Sequence, residues 1–333
     1  MAHVVVLGAG GWGTALAVMA ERYGHEVTLW STFPEELASI RRHGQHKKLL
    51  PGVPVSPRIE LTDDLTCVQT ADLTVLAVPS FAIVEMAEKL KAVLPDGALL
   101  VNVGKGIDAP TNRLFSDVLR DALPKARVAV LSGPSHAEEV ARDIPTSVVS
   151  AADDPATAEK VQKILMNRHF RIYANTDMVG VELGGAMKNV IALSAGVADG
   201  LNMGDNAKAA LMTRGLSEIA RLGMAMGARP ETFAGLSGMG DLIVTCGSMH
   251  SRNRRAGILI GQGIPPAQAI AEVGTVEGYL AVAAARTLAQ KWGVELPISE
   301  QCYRICYEDL PPKDALEALM QRPRSFEDRN WLG

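Results

Sequence analysis

The chain has 333 residues, of which 47% are hydrophobic and 21% charged, with a net charge of −4 at neutral pH. That length suggests two domains, and the apolar share can fill large cores. Slight acidity gives no support for nucleic-acid or anionic-membrane binding. No apolar run is long enough to span a bilayer, and the first residues lead straight into a strand rather than a signal peptide. Four scattered cysteines, Cys67, Cys246, Cys302 and Cys306, fit a reducing cytosol, with 302 and 306 packing on one helix face. His43 and His46 lack companion ligands, so no metal site is read here.

Residues 4–7, Val-Val-Val-Leu, form a short apolar run with β-branched side chains, the pattern of a buried strand. Gly8, Gly10 and Gly13 follow in GxGxxG spacing, and a small-residue helical pattern over 14–22 ends at Gly24. Residues 26–30 give a second strand. A dinucleotide-binding βαβ unit has this order. The first glycine makes the tight turn, the second lets backbone approach a pyrophosphate, and the third lets helix and strand pack closely. The helix start then offers N–H groups to the phosphates.

NAD sites carry Asp or Glu near the end of the second strand, bonded to the ribose hydroxyls. Here that end reads Trp30-Ser31-Thr32, with no acid to repel a 2′-phosphate and two hydroxyls that could bond it. No Arg stands there either, Arg41 and Arg42 lying further along, and it is the missing acid that leans the reading to NADP or to use of both cofactors. Alternatively, Ser31 and Thr32 cap the helix that begins near Pro34.

Further strands are predicted at 73–78, 98–103, 128–131, 146–150 and 169–174, with helices over 81–93 and 112–123 and another from Pro155. The alternation argues for an α/β fold whose N-terminal part is a doubly wound, Rossmann-like, mostly parallel sheet. Three strand ends carry the loops VPS (78–80), VGKG (103–106) and SGPSHAEE (132–139). Ligands of open parallel sheets sit beyond the carboxyl ends of strands, so these loops should line the crevice at the glycine turn. After about Asn175 long Ala-, Leu- and Met-rich helical patterns take over, at 177–200, 205–227, 251–261, 266–272 and 277–293. The division expected is a dinucleotide-binding domain over 1–177 and an all-helical substrate and catalytic domain over 178–333.

Residues 183–198 carry a single charge, Lys188, in an apolar helical pattern. Burial disfavours a charged amine and tunes it to give or take a proton near neutral pH. The competing reading is a lysine that snorkels at a domain edge. Lys105 stands between two glycines, which suits a cation pointing into a cleft or a plain surface turn. The segment 235–257 holds five glycines and an isolated Asp241, and Ser251 precedes Arg252-Asn253-Arg254-Arg255. Ser251 suits an N-cap, and a helix start with an arginine fork suits a monophosphate. Arg254 and Arg255 read as a solvated basic helix start, whereas the glycine-rich approach assigns a contact to Arg252 and Asn253.

GAGGWGTALA, VPS, GKGI, LSGPSHAEEV, MKNVIALSAG, LSGMGDLIVTC, SRNRRAG and TVEGY follow one another along nearly the whole chain. In these motifs the chain resembles the NAD(P)-dependent sn-glycerol-3-phosphate dehydrogenase family, bacterial type. The resemblance implies reversible interconversion of glycerone phosphate and sn-glycerol 3-phosphate with NADP or NAD, in the cytoplasm, supplying glycerophospholipid synthesis. The implied partner is that small phosphorylated substrate, with no nucleic acid and no membrane insertion, and a homodimer is admitted. Lys188 would be the proton acceptor in alcohol oxidation and the donor in ketone reduction, with Lys105 near both cofactor and substrate. Gly133, Ser135, Asp241, Ser251, Arg252 and Asn253 match substrate-pocket positions, Arg252 also lying near the cofactor. Gly11, Trp12, Ala137, Thr275 and Glu277 match cofactor contacts, beside Gly8, Gly10, Gly13 and Thr32. Relatives often carry Arg or His just after the second strand, where this chain has Ser31 and Thr32. Two rivals fit less well. A 3-hydroxyacid dehydrogenase of the same plan usually places Asn four residues after its lysine, and position 192 is Ala, the Asn being at 189. A dinucleotide sensor without turnover would be expected to lose the relay lysine or the phosphate arginine, and both are present.

Overall fold

A computed structural model describes residues 1–324 and 326. The chain divides into two compact units, one of Met1–Gly104 with Phe115–Met178, the other of Lys105–Leu114 with the chain from Val179 onward.

The first unit opens with β1 (His3–Leu7), α1 (Gly11–Arg22) and β2 (Glu26–Trp30). Gly24 takes a left-handed φ of 86° where the helix stops. α2 (Pro34–His43) starts on its proline and is followed by β3 (Glu60–Thr62), β4 (Leu73–Leu76), α3 (Ile83–Leu90) and β5 (Leu99–Asn102). Next in the chain come β6 (Ile107–Asp108) and β7 (Arg113–Leu114), which form a separate hairpin. α4 (Phe115–Ala122), β8 (Arg127–Ser132), α5 (Ala137–Ala141), β9 (Thr146–Ala151), α6 (Pro155–Leu165) and β10 (Phe170–Asn175) complete the unit.

The sheet runs β10-β9-β8-β5-β4-β1-β2-β3. β9 pairs antiparallel with β8 and parallel with β10, so these two strands oppose the other six. Period-two alternation sends Val4 and Val6 into one layer with Leu16 and Met19 of α1, and Val5 and Leu7 into the other with Met86 and Leu90 of α3. Helices therefore cover both faces, the doubly wound arrangement. β1 has β4 on one side and β2 on the other, which puts the turn after β1 at the topological switch point.

The second unit contains α7 (Met178–Gly200), α8 (Gly204–Ala225), α9 (Pro230–Phe233), α10 (Asp241–Gly247), α11 (Arg252–Gly261), α12 (Pro266–Val273), α13 (Glu277–Trp292), α14 (Pro297–Tyr307) and α15 (Pro312–Met320). α7 is apolar nearly all round and runs through the core of this unit. Gly196 and Gly200 face Gly257 and Gly261 of α11, and a Cβ on any of the four would overlap a backbone oxygen of the opposing helix. Glycine at every fourth position lets the two backbones touch. Cys246, Cys302 and Cys306 are buried in this core, and all four thiols are free.

A cut at 177/178 misses one feature. Lys105–Leu114 clusters with the helical unit because Ile107 and Leu114 bury their side chains in its core. The helix expected from 112 begins at Phe115, since Arg113 and Leu114 pair instead with Asp108 and Ile107.

Candidate active site

In the first unit the glycine turn is built by exclusion. Gly8 has φ +118°, and a Cβ there would lie 2.7 Å from the Ala77 oxygen, beside the VPS loop. A Cβ on Gly13 would overlap the Gly8 oxygen. Both positions therefore demand glycine for the fold itself. A Cβ on Gly10 meets nothing within 4 Å. Gly10 is also the N-cap of α1, with no side-chain cap bond and no acid in the first turn. An open cradle at an uncapped helix start fits a pyrophosphate. Gly11 lies against the Leu49 carbonyl, and Trp12 is half-buried against the core. At the carboxyl end of β8, Gly133 has φ +138° and its carbonyl accepts the Ser135 hydroxyl at 2.9 Å, just before Ala137 opens α5.

The end of β2 departs from expectation. Ser31 is only 3% exposed, and its hydroxyl donates to Glu36 Oε2 at 2.8 Å while accepting the Phe33 N–H at 3.2 Å. It therefore neither faces solvent nor caps α2, whose N-cap is Phe33; Thr32 remains exposed. The acid missing from the strand end arrives from the first turn of α2 as Glu36. Its other oxygen lies 3.1 Å from His46 Nε2. Burial works to raise Glu36, but hydrogen bonds from His46 and Ser31 outweigh it and hold the carboxyl below its usual range. Two aromatic residues escaped the sequence reading. Phe33 and Phe81 are 65% and 72% exposed, one just past β2 and the other just past β4, the two strands that flank β1. They offer flat apolar faces at the ligand edge of the sheet. An aromatic placed soon after each flanking strand was the available signal.

The second unit holds a buried charge cluster. Asp241, 1% exposed, places Oδ1 2.5 Å from Lys188 Nζ and Oδ2 2.7 Å from Lys105 Nζ. Lys188 also donates to Thr245 Oγ1 at 2.7 Å. Asp241 follows a π-helical turn at Leu236–Gly240, and Gly184 of α7 gives the Ser237 backbone room to approach. Desolvation pulls the Lys188 amine down to about 8, against the attraction of Asp241 and with the repulsion of Lys105. Burial opposes ionisation of Asp241, but the two ammonium groups outweigh it and hold its carboxyl below the usual range.

At the start of α11, Ser251 Oγ accepts the Arg254 N–H at 3.2 Å, as the N-cap reading requires. Arg252 is exposed and has no hydrogen bond or ion pair among the described residues. Asn253 is buried, its amide donating to Asn189 Oδ1 at 2.9 Å and accepting the Gly278 N–H at 2.8 Å, so it ties α11 to α7 and α13. Arg254 is not a solvated residue. It pairs with Asp199 at 2.7 Å and donates to the Gly247 carbonyl, while Arg255 stays exposed. Thr275 and Glu277 are half-buried at the entry to α13. Among the described residues there is no cluster of three or more His, Cys, Asp or Glu that could hold a metal ion.

Two family models match the chain: NAD-dependent glycerol-3-phosphate dehydrogenase N-terminus over residues 3–158, and the C-terminus of the same family over 177–317. Glycerol-3-phosphate dehydrogenase (NAD(P)+) of Moorella thermoacetica is 53% identical over 327 residues, 97% of each chain. That of Fusobacterium nucleatum is 47% identical over 335 residues, 99% of this chain and all of the other. The crystal structure of glycerol-3-phosphate dehydrogenase from Coxiella burnetii superposes with a TM-score of 0.92 at 37% identity, covering 96% of this chain and 99% of that one.

Proposed function

The chain belongs to the NAD-dependent glycerol-3-phosphate dehydrogenase family, and from that premise we propose that it reversibly reduces glycerone phosphate to sn-glycerol 3-phosphate with NADH or NADPH. The observation that carries the reading is the buried Lys105–Asp241–Lys188 cluster. When bound, the nicotinamide cofactor supplies the hydride in reduction and takes it in oxidation. The open turn at Gly10, with Gly8, Gly11, Trp12 and Gly13, would hold its pyrophosphate.

Lys188 gives its proton to the substrate oxygen as that oxygen becomes an alkoxide, and takes it back in alcohol oxidation. An amine held near 8 can do both around neutral pH. Asp241 neutralises one of two close ammonium groups, which lets Lys188 be protonated in a buried place. Two lysines against one aspartate still leave net positive charge for a developing oxyanion. Arg252 and the start of α11 take the substrate phosphate, and this remote binding orients the reacting carbon. Ser251 and Asn253 fix that helix start. In the first unit Gly133, Ser135, Ala137 and Thr32 occupy the family's contact positions, and in the second Thr275 and Glu277 do so. The setting that the family resemblance implies is glycerophospholipid supply in the cytosol, and light scattering tests the homodimer.

The test is a set of initial rates with glycerone phosphate, first with NADH and then with NADPH, against unphosphorylated dihydroxyacetone and a panel of 3-hydroxyacids. No turnover of glycerone phosphate with either cofactor, or equal turnover of the carboxylated alcohols, sinks the proposal.

A further inference from the structure

A cavity of about 240 Å³ is lined by Glu36, Ser39, Ile40, His46, Lys47 and Lys48 in the first unit. His46, Lys47 and Lys48 belong to one turn of chain, residues 46–50, and that turn is pinned. His46 Nε2 meets Glu36 Oε1 at 3.1 Å, its Nδ1 accepts the Leu49 N–H at 3.2 Å, and its carbonyl accepts the Leu50 N–H at 2.9 Å. Because Nδ1 accepts, the network assigns the ring proton to Nε2, which donates it to the carboxylate. Glu36 is held in turn by Ser31, the residue directly after β2. At its other end the turn brings the Leu49 carbonyl to 2.9 Å from where a Gly11 Cβ would stand. Residues 46–50 thus bridge the carboxyl end of β2 and the glycine turn. Those are the places where a dinucleotide puts its adenosine ribose and its pyrophosphate.

Lys47 and Lys48 are exposed on this turn and make no hydrogen bond or ion pair among the described residues. The arginines nearer to α2 are less suited. Arg41 is occupied with the Leu61 carbonyl at 2.9 Å, and both Arg41 and Arg42 belong to the last turn of α2. Glu36 attracts Lys48 through space but forms an ion pair with neither lysine, its two oxygens being held by Ser31 and His46, so both ammonium groups stay available to a ligand. We propose that Lys47 and Lys48 bind the adenosine 2′-phosphate of NADP(H), supplying the cations that the end of β2 lacks. The assignment rests on the dinucleotide reading of the glycine turn. A lysine binds phosphate as a point charge, without the bidentate geometry of an arginine, and two adjacent lysines supply that charge twice.

Calorimetric titration of the whole chain with adenosine 2′,5′-bisphosphate and with 5′-AMP tests it, because the two differ by the 2′-phosphate alone. The Lys47→Ala/Lys48→Ala variant should bind the bisphosphate about tenfold more weakly and 5′-AMP within about twofold of wild type. KM for NADPH should rise by the same factor, with KM for NADH and for glycerone phosphate unchanged. Arg41→Ala/Arg42→Ala should leave the discrimination intact. Equal loss for both nucleotides, no change for either, or a shift of discrimination in the arginine variant overturns the proposal. The binding readout needs no substrate, so a wrong substrate assignment would leave it standing. A wild type that bound neither nucleotide would sink the cofactor reading and this inference with it.

Discussion

At the glycine turn the working atoms are backbone, and the sequence specifies an absence: no Cβ at Gly8 or Gly13, where one would strike carbonyl oxygens, and none at Gly10, where the space is open. In the second unit the working atoms are side-chain charges, of which Lys188 and Asp241 are buried and Lys105 is half-buried. Lys105, Lys188 and Asp241 come from a hairpin segment, a central helix and the residue after a π-turn. The first device is local and tolerant of what surrounds it. The second exists only when three distant segments meet, and its chemistry is set by the low dielectric around them. Each should therefore fail in its own way when mutated, one in binding and the other in proton transfer.

The largest separation is expected from Lys188→Ala. It removes the proton donor and should lower kcat for ketone reduction by about 10²–10⁴-fold. Calorimetric affinity for the nucleotide should stay at its wild-type value, because the glycine turn is untouched. A variant within a few-fold of wild-type kcat would remove Lys188 from the chemistry. Arg252→Ala comes next. Its side chain is exposed and makes no hydrogen bond or ion pair among the described residues, so the melting temperature should hold. Loss of a charge-assisted hydrogen bond of about 1.5–3 kcal/mol raises KM for glycerone phosphate roughly ten- to hundredfold. Lys at the same position should recover part of this, keeping charge without the fork. An equal loss on unphosphorylated dihydroxyacetone would show that Arg252 does not read the phosphate.

A pair of glycine substitutions sharpens the contrast within the first unit. Gly10→Val adds a side chain into open space at φ −63°, so stability should be kept while NADH and NADPH weaken together. Gly13→Ala forces a methyl group onto the Gly8 oxygen and should cost about 1–3 kcal/mol of stability in a denaturant titration. If the two variants behave alike, the turn is a packing feature and not a cradle.

The same contrast explains what the sequence could reveal. β1, α1 and β2 were legible because periodicity and glycine spacing act within a few residues of each other. α7, α8, α11, α12 and α13 of the second unit were legible for the same reason, whereas α9, α10, α14 and α15 were not read as helices. Lys188 stood out as a lone charge in an apolar helix, and Ser251 as a cap. Their environments were not legible. Asp241 is 53 residues from Lys188 in sequence, and only packing reveals that it bridges two lysines. Ser31 turned inward because Glu36, five residues on, offered a carboxylate, a choice that local spacing does not encode. Arg254 looked like its exposed neighbour Arg255 until Asp199, from the end of α7, claimed it. The Lys105–Leu114 segment sits in sequence among strands and helices of the first unit. Two apolar side chains decide its membership of the second.

The smallest effect expected is a pH dependence, and it probes the second device first in the wild type and then in one variant. Lys188 must be protonated to reduce the ketone and neutral to oxidise the alcohol. With its amine held at about 8, kcat for reduction should be halved near that pH and fall about tenfold per unit above it. Oxidation should run the other way, rising through the same midpoint. The direction of the shift follows from its causes: burial and Lys105 disfavour the ammonium, and Asp241 favours it. Asp241→Asn removes the favourable partner while leaving the other two, so the midpoint of both limbs should move to lower pH. Stability carries the same signature. Between about 8 and the ordinary lysine value of 10.5 the unfolded chain holds the proton that the folded one has released, so this group makes stability rise with pH across that window and leaves it flat below. A reduction limb with its midpoint near 10.5, unmoved in Asp241→Asn, would mean that the amine is solvated during turnover and that the buried cluster is not the proton relay.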